Sequence, residues 1–283
     1  MILFSKMQGV GNDFIIINCI NQYFNYSLSS FSKYLCNRNF GVGADGVIYI
    51  FKSYYADCKI RIFNNDGTEA EICGNGIRCV GKYLYEKGIV NQKNIKIETV
   101  IGTKDIELIL ENKTVINVKV KMNAPSFEIR KIPAYLPKED CTKKVHNVKI
   151  PIDGEEYLFE LVSMGNPHAV CFTNDLKNVN VRKIGEIVEN YKYFPNKTNV
   201  EFVQIIDRKN IKIKIWERGV GETLACGTGA CAAVVIGIKN ELLDRNVAVE
   251  LDGGKLYIDW GEKDDDLYLT GECEFVYEGK LDL

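Results

Sequence analysis

Apolar and polar residues alternate with a period of two at two similar places in the chain, "KIRIF" (59–63) and "KIKIW" (212–216). That period puts successive side chains on opposite faces and predicts a half-buried strand. Other short apolar runs are rich in β-branched and aromatic residues and bounded by polar turns: "FIIIN", "GVIYI", "NIKIETV", "DIELIL", "NVEFVQII", "VAVEL" and "KLYIDW". They predict many short strands. Two stretches break this pattern. One opens at "CGNGIRC" (73–79) and predicts a helix ending near Gly88, a residue suited to a C-cap. The other opens at "CGTGACA" (226–232) and continues as "GACAAVVIGIKNELL", apolar nearly all round before it turns polar. A helix apolar on every side is a buried one.

The two strand-to-helix segments are copies. Shifted by 153 positions, "KIRIFNNDGTEAEICGNG" (59–76) lies over "KIKIWERGVGETLACGTG" (212–229). Lys59/Lys212, Ile60/Ile213, Ile62/Ile215, Glu69/Glu222, Cys73/Cys226, Gly74/Gly227 and Gly76/Gly229 coincide, and Phe63/Trp216 is an aromatic pair. With a slip of one residue, "GNDFII" (11–16) lies over "GNPHAV" (165–170). Self-similarity at this scale predicts two copies of one unit. The expected fold is α/β of the α+β roll type: two pseudo-symmetric domains, each a curved, largely antiparallel sheet around a central helix. Pro125, Pro133 and Pro137 fall between the copies. They suggest domains over 1–122 and 123–269, with 270–283 a candidate return to the first.

Composition narrows the function. Of the 283 residues, 46% are hydrophobic and 26% charged, ordinary for a globular chain, and the formal net charge is −2. No basic field recruits nucleic acid or anionic lipid. The longest apolar runs, such as "AAVVIGI", fall short of the ~18 residues of a membrane helix. The N-terminus carries no signal-peptide pattern, so a cytoplasmic protein is expected. The ten cysteines are read mainly as reduced core residues, Cys79 and Cys231 among them. Cysteine spacings and only two histidines argue against zinc, and no metal is expected. "GVGADG" (41–46) matches a dinucleotide loop literally, but the strand-like "VIYIF" follows where a helix is required. No Gly-Lys-Ser/Thr closes a P-loop.

A cysteine at the mouth of a buried helix has specific chemistry. The first N–H groups of a helix have no partner within it, and they favour an anion. A thiol there is expected to have a lowered pKa, and the amides of Gly74–Gly76 and Gly227–Gly229 are expected to bind a carboxylate by donating to it. Two such mouths brought together by a pseudo-twofold suit inversion of a carbon that carries a removable proton. One thiolate takes the proton from one face, and the other cysteine, as a thiol, returns one to the opposite face. Each well-aimed donor in such a site contributes on the order of 3 kcal/mol.

"GVGNDF", "GVGADG", "FNNDGTEAEICGNGIRC", "GNPHAV", "TNVEF" and "WERGVGETLACGTGACA" follow one another along nearly the whole chain. In sequence and order they resemble the motifs of the diaminopimelate epimerase family. The resemblance implies a cofactor-independent isomerase that interconverts LL- and meso-diaminopimelate, on the route to lysine and cell-wall precursors. It implies Cys73 and Cys226 as the acid/base pair. It implies substrate contacts from Asn12, Asn64, Gly74, Asn75, Asn166, Asn199, Glu217, Arg218, Gly227 and Thr228. Glu217 and Arg218 fit the distal amino-acid group, away from the reacting carbon. His168, together with Glu217, is implied as an auxiliary that tunes a thiol or the proton network. Gly46 departs from the pattern, because some members carry a polar residue there. The expected partner is a small-molecule substrate, with no nucleic acid and no membrane, and a homodimer is compatible with the sequence. Competing readings are another two-cysteine isomerase of the proline racemase kind, a thiol–disulfide redox protein without a Cys-x-x-Cys motif, and a non-catalytic amino-acid-binding protein.

Overall fold

The computed structural model describes residues 1–71, 73–136, 146–262 and 265–282. Pro137 lies outside them. The chain forms two compact units, Met1–Lys121 with Thr270–Leu283, and Met122–Leu269.

The first unit runs β1 (Ile2–Gly9), β2 (Asn12–Asn18), α1 (Leu28–Cys36), β3 (Gly46–Phe51), β4 (Cys58–Asn64), β5 (Glu69–Ala70), α2 (Gly74–Glu86), β6 (Asn94–Thr99), β7 (Gly102–Glu111) and β8 (Thr114–Lys121). The second runs β9 (His146–Ile152), β10 (Glu155–Ser163), β11 (Pro167–Phe172), α3 (Val181–Glu189), β12 (Asn199–Asp207), β13 (Asn210–Glu217), β14 (Gly221–Thr223), α4 (Gly227–Lys239), β15 (Asn246–Leu251) and β16 (Gly254–Trp260), and β17 (Leu267–Gly271) straddles the point where the chain passes back to the first. The last strand, β18 (Glu274–Leu281), pairs antiparallel with β1, as β9 does with β10.

The pairing scheme repeats. In the first unit β1–β2 and β3–β4 are antiparallel while β2–β3 and β4–β6 are parallel. In the second, β10–β11 and β12–β13 are antiparallel while β11–β12 and β13–β15 are parallel. Registers repeat too: Phe63 faces Glu69 across β4–β5, and Trp216 faces Glu222 across β13–β14. The molecule is thus a mixed α/β protein of two pseudo-symmetric units.

Each sheet curves around one helix. Helix α2 packs on β1, β2, β7 and β8, and α4 on β10, β11, β12, β13 and β16. In α2 every residue from Asn75 to Leu84 is buried, and in α4 every residue from Gly229 to Gly237. On the other face α1 packs on β3 and β4, and α3 on β12 and β13, each over its own apolar cluster. The strand-like run after "GVGADG" is β3, so no helix N-terminus is available there for a dinucleotide phosphate.

Turn chemistry fixes where the site residues emerge. Val10 and Gly11, both at positive φ, form the two-residue loop of the β1–β2 hairpin and leave Asn12 at the start of β2. Helix α2 ends in a Schellman motif. Gly88, at φ 66°, donates to the Tyr85 carbonyl, and Ile89 donates back to Leu84. Helix α4 ends identically, with Glu241 donating to Ile238 and Leu242 to Gly237, but the left-handed position at φ 61° is held by glutamate.

Candidate active site

The two central helices begin alike. Cys73 and Cys226 are their N-cap residues, both with extended backbone. The first i→i−4 bonds run from Ile77 to the Cys73 carbonyl and from Ala230 to the Cys226 carbonyl. The amides of residues 74–76 and 227–229 therefore lie ahead of each helix's own ladder.

In the first unit Cys73 is half-buried, and its Sγ donates to Asn12 Oδ1 at 3.6 Å. Asn75 Nδ2 donates to the same oxygen at 3.3 Å. The Asn12 amide is oriented from behind, because its Nδ2 donates to Asp45 Oδ2 at 2.9 Å. Arg38 ties Asp45 to Asp13, and Lys6, itself buried, pairs with Asp13 at 2.7 Å. Burial raises the Asp13 carboxyl, but hydrogen bonds from Arg38, Lys6 and Asp45 outweigh it and hold it at about 2. Asn64 lies at the exposed end of β4, with its Nδ2 on Thr68 Oγ1 at 3.0 Å. Gly46 has a local explanation: a Cβ there would sit 2.8 Å from the Phe63 carbonyl oxygen.

In the second unit Cys226 is buried, 5% exposed, and its Sγ lies 3.3 Å from Thr228 Oγ1. Asn166 Nδ2 reaches the same hydroxyl at 3.4 Å. His168 Nε2 contacts Asn166 Oδ1 at 3.0 Å, and His168 Nδ1 contacts Glu201 Oε1 at 2.7 Å. Both His168 and Glu201 are fully buried. Asn199 is buried and bridges two backbone segments, donating to the Pro167 carbonyl at 2.8 Å and accepting the Arg218 N–H at 3.0 Å. Arg218 is exposed, and one guanidinium nitrogen donates to the Asn196 carbonyl at 3.3 Å.

One expectation is corrected by the second unit. The thiol at a helix mouth is expected to have a lowered pKa, but Cys226 is pushed well above the ordinary thiol value. Burial is the main cause and the Glu217 charge the next; Thr228 and the Gly229 N–H pull the other way without overcoming them. Desolvation of a thiolate inside the unit exceeds what the helix end returns. Glu217, expected both at the distal group and as an auxiliary to a thiol, lies against the Cys226 thiol. It accepts from Thr223 Oγ1 at 2.6 Å and from Cys226, and burial raises its carboxyl above the ordinary range. Cys79 and Cys231 are core residues at 0% exposure.

Reading the sequence misses three carboxylates that fix the candidate residues, one in the first unit and two in the second. Asp45 sits in the discounted "GVGADG". Glu201 sits in "TNVEF", where a charge interrupts an otherwise apolar strand. Glu189, buried, accepts from Trp216 Nε1 at 2.7 Å and from the Gly219 N–H at 2.9 Å, so it braces the segment that carries Glu217 and Arg218. A lone acidic residue among buried neighbours is the signal that marks Glu201 and Glu189.

Two like units, each a curved sheet around an enclosed helix, form a fold class that the chain shares with a PhzF-family protein and a probable proline racemase. A PhzF-family protein of Bacillus anthracis has the same fold with a TM-score of 0.68 at 16% identity, over 100% of this chain and 99% of that one. A probable proline racemase of Agrobacterium radiobacter K84 also gives 0.68 at 16%, over 100% and 93%. Within that class the chain belongs to the diaminopimelate epimerase family, whose model matches residues 4–128 and 160–276. Similar relatives include diaminopimelate epimerases of Methanococcus maripaludis strain C5, 44% identical over 280 residues, and of Acetivibrio thermocellus, 43% identical over 280 residues. The matches cover 99% of this chain and 99% and 98% of the relatives. That of Elusimicrobium minutum is 45% identical over 276 residues, 98% of each chain.

Proposed function

We propose that the protein interconverts LL- and meso-diaminopimelate by proton exchange at one α-carbon, with Cys73 and Cys226 as its acid and base and without a cofactor. The observation that carries this reading is the repeated cysteine cap on two enclosed helices, in a chain of the diaminopimelate epimerase family. A carbon acid next to a carboxylate needs a base on one face, an acid on the other, and donors for the charge that develops on the carboxylate. The amides of Gly74, Asn75, Gly227 and Thr228 are the donors in this account. Asn12, Asn64, Asn166 and Asn199 hold the substrate's amino and carboxylate groups, and His168 and Glu217 tune the Cys226 thiol. Arg218, exposed and able to present a bidentate fork, takes the distal carboxylate. The substrate is a small molecule. No helix among the described residues is long and apolar enough to cross a membrane, and with a net charge of −2 a cytoplasmic setting fits best.

Incubation with LL-diaminopimelate in deuterated water, with no cofactor added, tests the reading. Deuterium enters the α-position as the meso isomer appears. Turnover of proline instead, or binding without any wash-in of deuterium, would overturn it.

A further inference from the structure

Glu201 touches none of the groups proposed to meet the substrate, yet it ends a continuous hydrogen-bonded chain that reaches a thiol. The chain runs from Glu201 Oε1 to His168 Nδ1 at 2.7 Å, from His168 Nε2 to Asn166 Oδ1 at 3.0 Å, from Asn166 Nδ2 to Thr228 Oγ1 at 3.4 Å, and from Thr228 Oγ1 to Cys226 Sγ at 3.3 Å. All of it lies within the second unit. The other Glu201 oxygen, Oε2, is buried and has no hydrogen-bond partner among the described residues. His168 answers this carboxylate at its other oxygen, Oε1. The first turn of α4 also closes on it, since a Cβ at Gly229 would lie 2.8 Å from Oε1.

The chain has a direction. A carboxylate only accepts, so His168 Nδ1 carries a proton and gives it to Glu201. With the Asn166 amide as placed, Oδ1 also faces the ring as an acceptor, so in the arrangement inferred here both His168 nitrogens donate and buried Glu201 is the counter-charge. The Asn166 amide is then turned to donate to Thr228. That amide engages one lone pair of the Thr228 hydroxyl and leaves its proton free to be offered to the Cys226 sulfur. With every donor turned this way the hydrogen-bonded chain supports a thiolate, against the through-space Glu201 charge, which by itself raises the thiol.

We propose that Glu201 is a positioning residue for the base role of Cys226, acting through His168, Asn166 and Thr228. Without its charge, His168 keeps one proton, on Nδ1, and Nε2 becomes an acceptor. The Asn166 amide turns over, Thr228 donates back to Asn166, and its hydroxyl can only accept from the Cys226 S–H. The chain then supports the thiol. At Cys73 the arrangement differs: Asp45 orients Asn12 directly, and the Asn12 oxygen accepts from the thiol. The inference rests on the two-thiol reading above.

A β-chloro analogue of each substrate stereoisomer tests it. The abstracting sulfur takes the α-proton, the C–H bond breaks, and its electron pair forms the Cα=Cβ double bond as chloride leaves. Only the base is needed. The isomer that Cys226 serves is the one from which Cys73→Ala still eliminates. In Glu201→Gln, elimination from that isomer should fall about tenfold or more, the worth of one hydrogen bond to a charged group. Elimination from the other isomer should stay near wild type, which also shows the variant to be folded. Glu201→Leu should repeat the one-sided loss and Glu201→Asp, which keeps the charge, should restore part of it, so these carry the test if Glu201→Gln does not fold. Equal loss from both isomers in a folded variant, or no loss in Glu201→Gln or Glu201→Leu, overturns the inference. Wild-type protein that eliminates from neither isomer overturns the two-thiol reading instead.

Discussion

At the scale of single residues, the thiol of Cys226 is set by opposing local effects. Burial, the Glu217 carboxylate and, after them, the Glu201 charge hold its proton on, while Thr228 and the Gly229 amide favour its loss. Glu217→Gln removes the second of these holding effects, so the Cys226 thiol should ionise at lower pH. Alkylation by iodoacetamide, followed against pH by peptide mass spectrometry, should show the Cys226 midpoint moving down; an unchanged or higher midpoint would remove Glu217 as a cause. Asp13 gives a second residue-scale test. Its carboxyl is held at about 2 in the folded protein against 3.8 ordinarily. A lowered folded value contributes stability above the unfolded pKa and loses it as pH falls through the folded one, here between about 4 and 2. The contribution at neutral pH is on the order of 2 kcal/mol, since Asp13 is only 18% exposed. Urea unfolding should show wild type losing that much down this limb, and Asp13→Asn should be less stable near neutrality and flatter below pH 4. Parallel limbs in the two proteins would contradict the assignment.

Helix ends differ at the element scale in a way that can be measured. Both central helices close with the same Schellman motif, but Glu241 occupies a left-handed position where α2 has Gly88. A side chain there costs about 1–2 kcal/mol, against about 0.5–1 kcal/mol of extra chain entropy for glycine. Glu241→Gly should therefore raise the melting temperature by roughly 2 °C, and Gly88→Ala should lower it. A fall with Glu241→Gly, measured by calorimetry, would show that the Glu241 side chain makes a compensating interaction. Elements of this kind are legible in the chain. The alternation in "KIRIF" and "KIKIW" is β4 and β13, and the all-round apolar run after Cys226 is α4. α1 and α3 are not apparent, because "LSSFSKYLC" and "VRKIGEIVE" are short and owe their place to packing on the back of each sheet.

For the molecule as a whole, the repeat is the feature that sequence exposes most clearly. An offset of 153 positions relates not only the cysteines but α1 to α3, β3 to the start of β12, and α2 to α4. Cys73, Cys226 and their flanking glycines can be found from that repeat alone. What stays hidden is the wiring behind them. Asp45 directly, and Glu201 through His168, orient the asparagines at the two thiols, and the Asp45/Thr198 and Ile48/Glu201 positions that match under the same offset are chemically unlike. Repetition reveals what both copies keep, and the residues that make the copies differ fall outside it. The raised Cys226 thiol is hidden for a related reason: a helix mouth can be read from glycines, but the depth of burial that outweighs it depends on the packed unit.

The central claim is that one proton is taken and another given by two different cysteines. Its most direct test is the rate of LL-to-meso conversion in folded Cys73→Ala and Cys226→Ala, followed by chiral chromatography beside wild type. Each replacement removes either the acid or the base, so both variants should lose nearly all conversion, by a factor of about 1,000 or more given what general acid–base catalysis contributes. Near wild-type conversion in either variant would mean that one base suffices, and the two-cysteine account would be wrong.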